Sequence, residues 1–388
     1  MLYYIYLIMT KYSNFSTDYK KSKGRIYPEE IDPHRNCFMR DRDRIIHSSA
    51  FRRLKYKTQV FVYHHEDYYR TRLSHSLEVS QLARSLSKVF NVNDDLAESI
   101  SLSHDLGHTP FGHAGEDELN EKLKKFGGFN HNFQTIKILT SLEKKYINFD
   151  GLNLTYETLE GILKHNGPLK ENIPNFIQNL INHFKASLDE FGSFESQIAT
   201  ICDDVAYNNN DIDDGLYAKL FTLEELEGIE LIKNILNKIK SKRNRFNESR
   251  IRYELVRGLI REMLNDIIKN TKINLQHLKI SSSEGIKKSN ISIVNFSEQM
   301  SAEVKKIKKF LKKNMYNHSR VKTMTLKARK IISNLYDLFC DEPDLLPSKW
   351  RNFNNDSEKK KTVADYISGM TDKYAIEVHK KHFNLYEF

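Results

Sequence analysis

Three cysteines in 388 residues, Cys37, Cys202 and Cys340, are odd in number, far apart and never in a CxxC pair. A disulfide framework and a thiolate zinc site are thereby excluded, and a reducing cytoplasm fits. Seven prolines and 15 glycines are few for the length, and Leu, Ile, Lys and Glu dominate many stretches, so a mainly α fold is expected. No apolar run reaches the roughly 18 residues of a membrane-spanning helix. The N-terminal MLYYIYLIMTKY is shorter and lacks a basic leader, which reads as an over-long start with Met9 as the true first residue, or as a surface anchor. The patterns GxxxxGK[ST], GxSxG and HExxH are all missing, which removes P-loop, serine-hydrolase and zincin chemistry. There is no internal repeat and no Gly/Ser/Pro-rich linker.

What is present is a globular composition, 39% hydrophobic and 29% charged, with a net charge of +10. That sign suits an acidic partner such as nucleic acid, nucleotides or a membrane surface. Abundant Lys, Asn, Ile and Tyr give codon composition as a second source of the same charge. Residues 1–45 read as a polar N-terminal arm, 46–215 as a helical core, and 216–388 as a helical C-terminal region. Helices are expected at 71–90, from a cap at Asn93 or Asp94 to His104, then at 132–145, 155–165, 174–190, 194–207, 222–240, 248–270, 300–313, 321–339 and 361–381. The alternation INLQHLKI and the segment ISIVNF suggest a small β-ribbon within 271–296. The basic run KKIKKFLKK (305–313) reads as a solvated face, with nucleic-acid contact as the alternative.

The chemistry gathers around His104-Asp105, an imidazole and a carboxylate side by side at a helix end. Such a mixed N/O pair suits a divalent cation. His75 precedes Val79, Leu82 and Leu86 by four, seven and eleven residues, and His104 follows Ala97 and Ile100 by seven and four. Both histidines therefore fall on inward helix faces. A further carboxylate is expected from Asp203-Asp204, a pair that is costly to bury without a cation. Helical phase leans towards Asp203, which shares a face with Tyr207 and Asp211. The glycine-rich loop DLGHTPFGHAGE adds His108, His113 and Glu116, and the three-residue spacing lets Glu116 orient His113 as a proton donor or base. Arg72, three residues before His75, is placed for a phosphate oxygen. Arg42, Arg44, Arg52, Arg53 and Lys55 upstream read as a mixture of phosphate-facing and surface groups.

Taken in order, RDRDRIIHSSAFRRLKYKTQVF, YYRTRLSHSLEVSQLAR, HDLGHTPFGHAGE, GGFNHN, DDVAYNNNDIDD and DYISGMTDKYA resemble the deoxyguanosine triphosphate triphosphohydrolase family of the HD-domain superfamily, over nearly the whole chain. The resemblance implies an HD-domain helical fold with additional C-terminal helices. It implies hydrolysis of a dNTP to deoxynucleoside and triphosphate, with one divalent metal: Mn or Mg first, Fe, Co, Ni or Zn also compatible. It makes His75, His104, Asp105 and Asp203 metal ligands, His113 and Glu116 the catalytic pair, and His108 and Arg72 contacts to the α-phosphate. Gln59 and Asp211 would read the 3′-hydroxyl, Tyr207 would lie against the sugar ring, and Asn132, or His131 beside it, would stand near the reaction centre. A cytoplasmic homo-oligomer, with single-stranded DNA as a further partner and no membrane, completes the expectation. Another HD-type phosphodiesterase or 5′-nucleotidase, or a nucleic-acid-binding regulator with a vestigial site, are the competing readings.

Overall fold

Side-chain caps start most of the helices. In the computed structural model, which describes residues 12–60, 69–170, 173–241 and 247–384, α1 (Cys37–Ile46) and α2 (Ser49–Arg53) are followed by α3 (Arg72–Phe90), α4 (Asp94–Ser103), α5 (His113–Leu123) and α6 (His131–Lys137). Then come α7 (Tyr156–Leu163), α8 (Asn175–His183) and the long α9 (Phe194–Tyr217). The rest of the chain supplies α10 (Leu223–Leu226), α11 (Glu230–Lys240), α12 (Glu248–His277), α13 (Ser283–Lys287), α14 (Glu298–Leu311), α15 (Ser319–Asp341), α16 (Asp356–Ser368) and α17 (Asp372–Phe383). Thr71 and Ser74 cap α3 reciprocally, and the Asn93 side chain accepts the Leu96 N–H to open α4, so the cap expected there is Asn93 rather than Asp94.

The described residues contain no β-strand, only three isolated bridges. The expected ribbon at 271–296 is not formed: α12 continues to His277 and α13 follows. The alternating apolar residues there do not share a buried face, since Ile273 is 50% and Leu278 41% exposed. The i, i+4 pair Asn270 and Asn274 instead both donate to Asn295, which keeps the helix going. Elsewhere α6 is shorter than expected and passes into a π turn at Ile138–Leu142, and α8 stops at His183. The stretches 222–240 and 361–381 each break into two helices, whereas α9 runs ten residues beyond the expected 207. The apolar start at residues 1–11 lies outside the described residues. No described helix is long and apolar enough to cross a membrane.

Three apolar clusters hold the helices together. Val79, Leu82 and Leu86 of α3 meet Ile198 and Val205 of α9 and the inner faces of α11, α12 and α14. Ile100 of α4 faces the other way, into a cluster with Phe38 and Ile45 of α1, Leu159 and Ile162 of α7, and Ile177 of α8. The third joins Phe111 and Leu119 to Ile332, Leu335 and Phe339 of α15 and to Val363, Ile367 and Ala375 of the last two helices. The basic run on α14 behaves as an amphipathic face: Val304, Ile307 and Leu311 are buried while Lys305, Lys306, Lys308 and Lys309 are exposed. All three cysteines are free thiols, Cys202 and Cys340 in the interior. The start of α3, the end of α4, the middle of α9 and the loop 104–112 converge between the first two clusters, and the candidate site is built there.

Candidate metal centre and phosphate cradle

Two histidine–carboxylate groups stand side by side. In the first, His75 Nε2 is 2.9 Å and His104 Nε2 3.6 Å from Asp203 Oδ1, and one potential ligand atom from each of the three residues lies within 4.8 Å of the others. His104 Nδ1 sits 2.6 Å from the Ser101 carbonyl oxygen, a contact that requires the proton on Nδ1. Nε2 is therefore the nitrogen that can give up its proton and ligate, and that atom is buried with no hydrogen-bond partner. An orphaned basic nitrogen beside a carboxylate fits a divalent cation, and the carbonyl behind it is the usual way such a ligand is oriented. Burial alone would push His104 down, but Asp105 and Asp203 raise it to about 9. Burial likewise opposes ionisation of Asp203, yet His104, His165 and His75 hold its carboxyl well below the usual range.

The adjacent aspartates of α9 separate cleanly. Asp204 turns to the surface and pairs with Lys308 at 2.7 Å, while Asp203 faces the histidines. Asp105 stands outside the tight trio. Its Oδ1 is 3.4 Å from His104 Nε2 and 3.2 Å from His108 Nε2, and its Oδ2 accepts from the Arg72 guanidinium at 2.9 Å. Burial raises the Asp105 carboxyl, but Arg72, His104 and His108 together keep it well below the ordinary value.

The second group is His108, Glu116 and His131. His131 takes hold of Glu116 Oε1 twice, through Nδ1 at 2.8 Å and its backbone N–H at 2.9 Å. Its ring stacks on His108 with centroids 3.9 Å apart. His113, expected as the partner of Glu116, is 3.5 Å from Oε2 and its side chain is 62% exposed. The carboxylate thus grips His131 more firmly than His113. Burial opposes the Glu116 charge, but hydrogen bonds from His113 and His131 keep the carboxyl ionised, far below its ordinary value. His108 is pushed well below its own by burial, then by Arg72 and His131.

The loop backbone is pinned from three sides. Thr135 Oγ1 accepts the Gly107 N–H at 2.9 Å, and a Cβ at Gly107 would collide with the His131 carbonyl oxygen, so α6 packs against bare backbone. Phe111 has φ +62° and Gly112 +58°. Asp372, at the start of α17, accepts the Phe111 N–H on one oxygen and the Thr58 N–H on the other, each at 2.9 Å. Buried Lys57 donates to the carbonyls of His108 and Ser368, and burial lowers its pKa to about 7.

The remaining expected residues line the same region without closing on a common atom. Gln59 and Asn132 are buried, each with a side-chain oxygen that has no partner. Tyr316, unforeseen in the sequence, bonds both the Tyr207 hydroxyl, at 3.0 Å, and Asp211 Oδ2. Burial raises Asp211 to about 8. Of the upstream basic residues, Arg42 pairs with Asp95 and Arg44 with Glu29, so both are structural. His165, also not singled out from the sequence, meets Asp203 Oδ2 at 3.1 Å. Its signal was legible: it follows Ile162 and Gly161 by three and four residues, the inward phase of α7.

Comparison with known proteins gives the chain's relatives. A model of the HD domain matches residues 72–225, and one of the phosphohydrolase-associated domain matches residues 294–381. A deoxyguanosinetriphosphate triphosphohydrolase-like protein of Caulobacter sp. (strain K31) is 47% identical over 378 residues, 96% of each chain. Proteins of the same description from Rickettsia bellii and Bartonella henselae are each 44% identical, over 95% of this chain and 97% and 95% of their own.

Proposed function

The chain belongs to the deoxyguanosinetriphosphate triphosphohydrolase-like family of HD-domain phosphohydrolases, and from that membership we propose that it cleaves a deoxynucleoside triphosphate, dGTP first among them, to deoxynucleoside and inorganic triphosphate. The observation that carries the reading is the pairing of the His75–His104–Asp203 group with the His108–Glu116–His131 group across the buried Arg72–Asp105 ion pair. One set suits a cation and the other suits proton transfer beside it.

A divalent cation held by His75, His104, Asp105 and Asp203, with Mn²⁺ or Mg²⁺ first, would polarise an α-phosphate oxygen. Arg72, held in place by Asp105, neutralises charge that builds on the α-phosphate as water attacks phosphorus. His108 stays neutral, so it gives that phosphate a hydrogen bond without adding charge. The new bond from water to Pα forms as Pα–O5′ breaks, so the deoxynucleoside departs, the triphosphate stays in one piece with the water's oxygen, and the water's proton goes to solvent. His113, oriented by the ionised Glu116, hands the proton to the departing 5′-oxygen, with His131 sharing the same carboxylate. Gln59 and Asp211 each carry a buried, unpartnered oxygen, which suits a hydrogen bond with the 3′-hydroxyl. Tyr207 packs against C2′ and rejects a ribonucleotide by size, and Asn132 lies near the reacting phosphate.

Incubation with each dNTP and with GTP, in Mn²⁺ or Mg²⁺, tests the reading when products are resolved by ion exchange. Triphosphate from dGTP, little turnover of GTP and an inactive Asp105→Ala variant are expected. Release of pyrophosphate or phosphate would move the chain to the phosphodiesterase or nucleotidase class. Absence of turnover with any nucleotide, together with salt-sensitive binding of single-stranded DNA, would favour a regulator with a vestigial site.

A further inference from the structure

His165 follows α7 directly, and the scheme above gives it no role. It is 6% exposed. Its ring stacks on His104 with centroids 5.3 Å apart and planes 24° from parallel. Its Nε2 stands 3.1 Å from Asp203 Oδ2. A polar ring buried against two members of the cation-binding trio is costly unless its hydrogen bond is used.

The two oxygens of Asp203 have different company. Oδ1 faces His75 and His104, at 2.9 and 3.6 Å from their Nε2 atoms. Oδ2 meets His165. The imidazoles are also backed differently. The Ser101 carbonyl fixes the His104 proton on Nδ1 and frees Nε2 as a ligand. Among the described residues, no carbonyl or carboxylate does the same behind His165. The nearest partner of its Nδ1 is Thr200 Oγ1, at 3.5 Å, a longer contact than the 3.1 Å from Nε2 to Asp203 Oδ2. An ionised carboxylate only accepts, so the shorter contact keeps the proton on Nε2, which donates it to Asp203 Oδ2.

We infer that His165 is a positioning residue that occupies Oδ2 of Asp203 and so restricts Asp203 to one-oxygen ligation, through Oδ1, of a divalent cation shared with His75 and His104. The inference rests on the metal-dependent reading proposed above. The locked carboxylate is pre-set for the cation and does not swing to a two-oxygen mode. Substitution of His165 therefore acts through Asp203, on cation affinity and on turnover, rather than on nucleotide binding.

The test uses the full chain and Mn²⁺ alone, with affinity read by competition against a fluorescent chelator and by the electron paramagnetic resonance of free Mn²⁺. His165→Ala should weaken Mn²⁺ binding by about 10- to 100-fold. Its kcat should fall while the KM for nucleotide shifts by no more than about twofold. His165→Gln places an amide N–H where Nε2 stands and should recover most of the affinity. If His165→Ala does not fold, His165→Asn, whose amide falls short of Asp203, takes its place. Binding by the alanine variant equal to that of the parent overturns the inference alone and leaves the proposed function standing. A glutamine variant as weak as alanine also overturns it, because the imidazole would then be a packing group or a direct ligand. A parent chain that takes up no divalent cation sinks the proposed function and this inference together.

Discussion

A guanidinium as deeply buried as Arg72, at 2% exposure, has to keep its charge paired, and Asp105 supplies the partner at 2.9 Å. The same pair leaves Asp105 ionised next to His104 and His108, so one arginine sets the charge state of much of the site. Asp211 is the opposite case. Burial outweighs Arg70 and the Tyr316 hydrogen bond and raises its carboxyl to about 8, so it is protonated at neutral pH in the folded chain. The folded state therefore holds this proton more firmly than the unfolded chain, whose carboxylate titrates near 3.9. Its stabilising contribution is complete below that value and is lost as pH rises through about 8. Asp211→Asn removes the titration. Its melting temperature should fall less than the parent's between about pH 5 and pH 8.5, over which carboxylates with depressed pKa values stay ionised in both chains. Parallel melting curves across that range would show that Asp211 does not titrate there.

Elements meet at the site through backbone rather than side-chain bulk. The loop 104–112 presents a bare Gly107 to α6 and carries two consecutive left-handed residues, Phe111 and Gly112. For phenylalanine that conformation is unfavourable, and here the Asp372 carboxylate holds its N–H while its ring is buried in the third cluster. Asp372 thus ties α17 both to the loop and to Thr58, one residue before Gln59. Asp372→Ala leaves two buried N–H groups unsatisfied, at about 1–3 kcal/mol each. It should lower the melting temperature and also kcat, since His113 and Glu116 follow directly from that loop. A stability loss with kcat unchanged would confine the clamp to holding the fold.

At the scale of the molecule, the candidate cation site joins helices from distant parts of the chain. His75 comes from α3, His104 caps the end of α4, and Asp203 lies in α9, more than 120 residues after His75. A cation bound there by the folded chain alone stabilises the whole assembly by mass action, by roughly 2.7 kcal/mol at a hundredfold excess over Kd. Mn²⁺ or Mg²⁺ should therefore raise the melting temperature in step with the logarithm of its concentration, and EDTA should reverse the rise. An equal shift in Asp203→Asn would place the cation elsewhere.

How much of this was legible in the sequence depended on range. Period and caps read from neighbouring residues located α3 and α4, placed His75 and His104 on inward faces, and leaned towards Asp203 over Asp204. They failed where a helix end depends on distant packing. Asn295 receives Asn270 and Asn274 and extends α12 through the stretch that reads as a ribbon, and Gly369 to Thr371 split the last helical stretch in two. Local sequence by itself picked out most of the residues proposed to carry the chemistry, because a histidine's donor set and helical phase are properties of a few neighbouring positions. Only the tertiary structure decided how they share it: that Glu116 grips His131 more closely than His113, that Asp372 of the last helix pins the loop, and that His165 backs Asp203. Those contacts span between 15 and 261 residues of chain, and no periodicity reaches across such a separation; they form only when the helices pack.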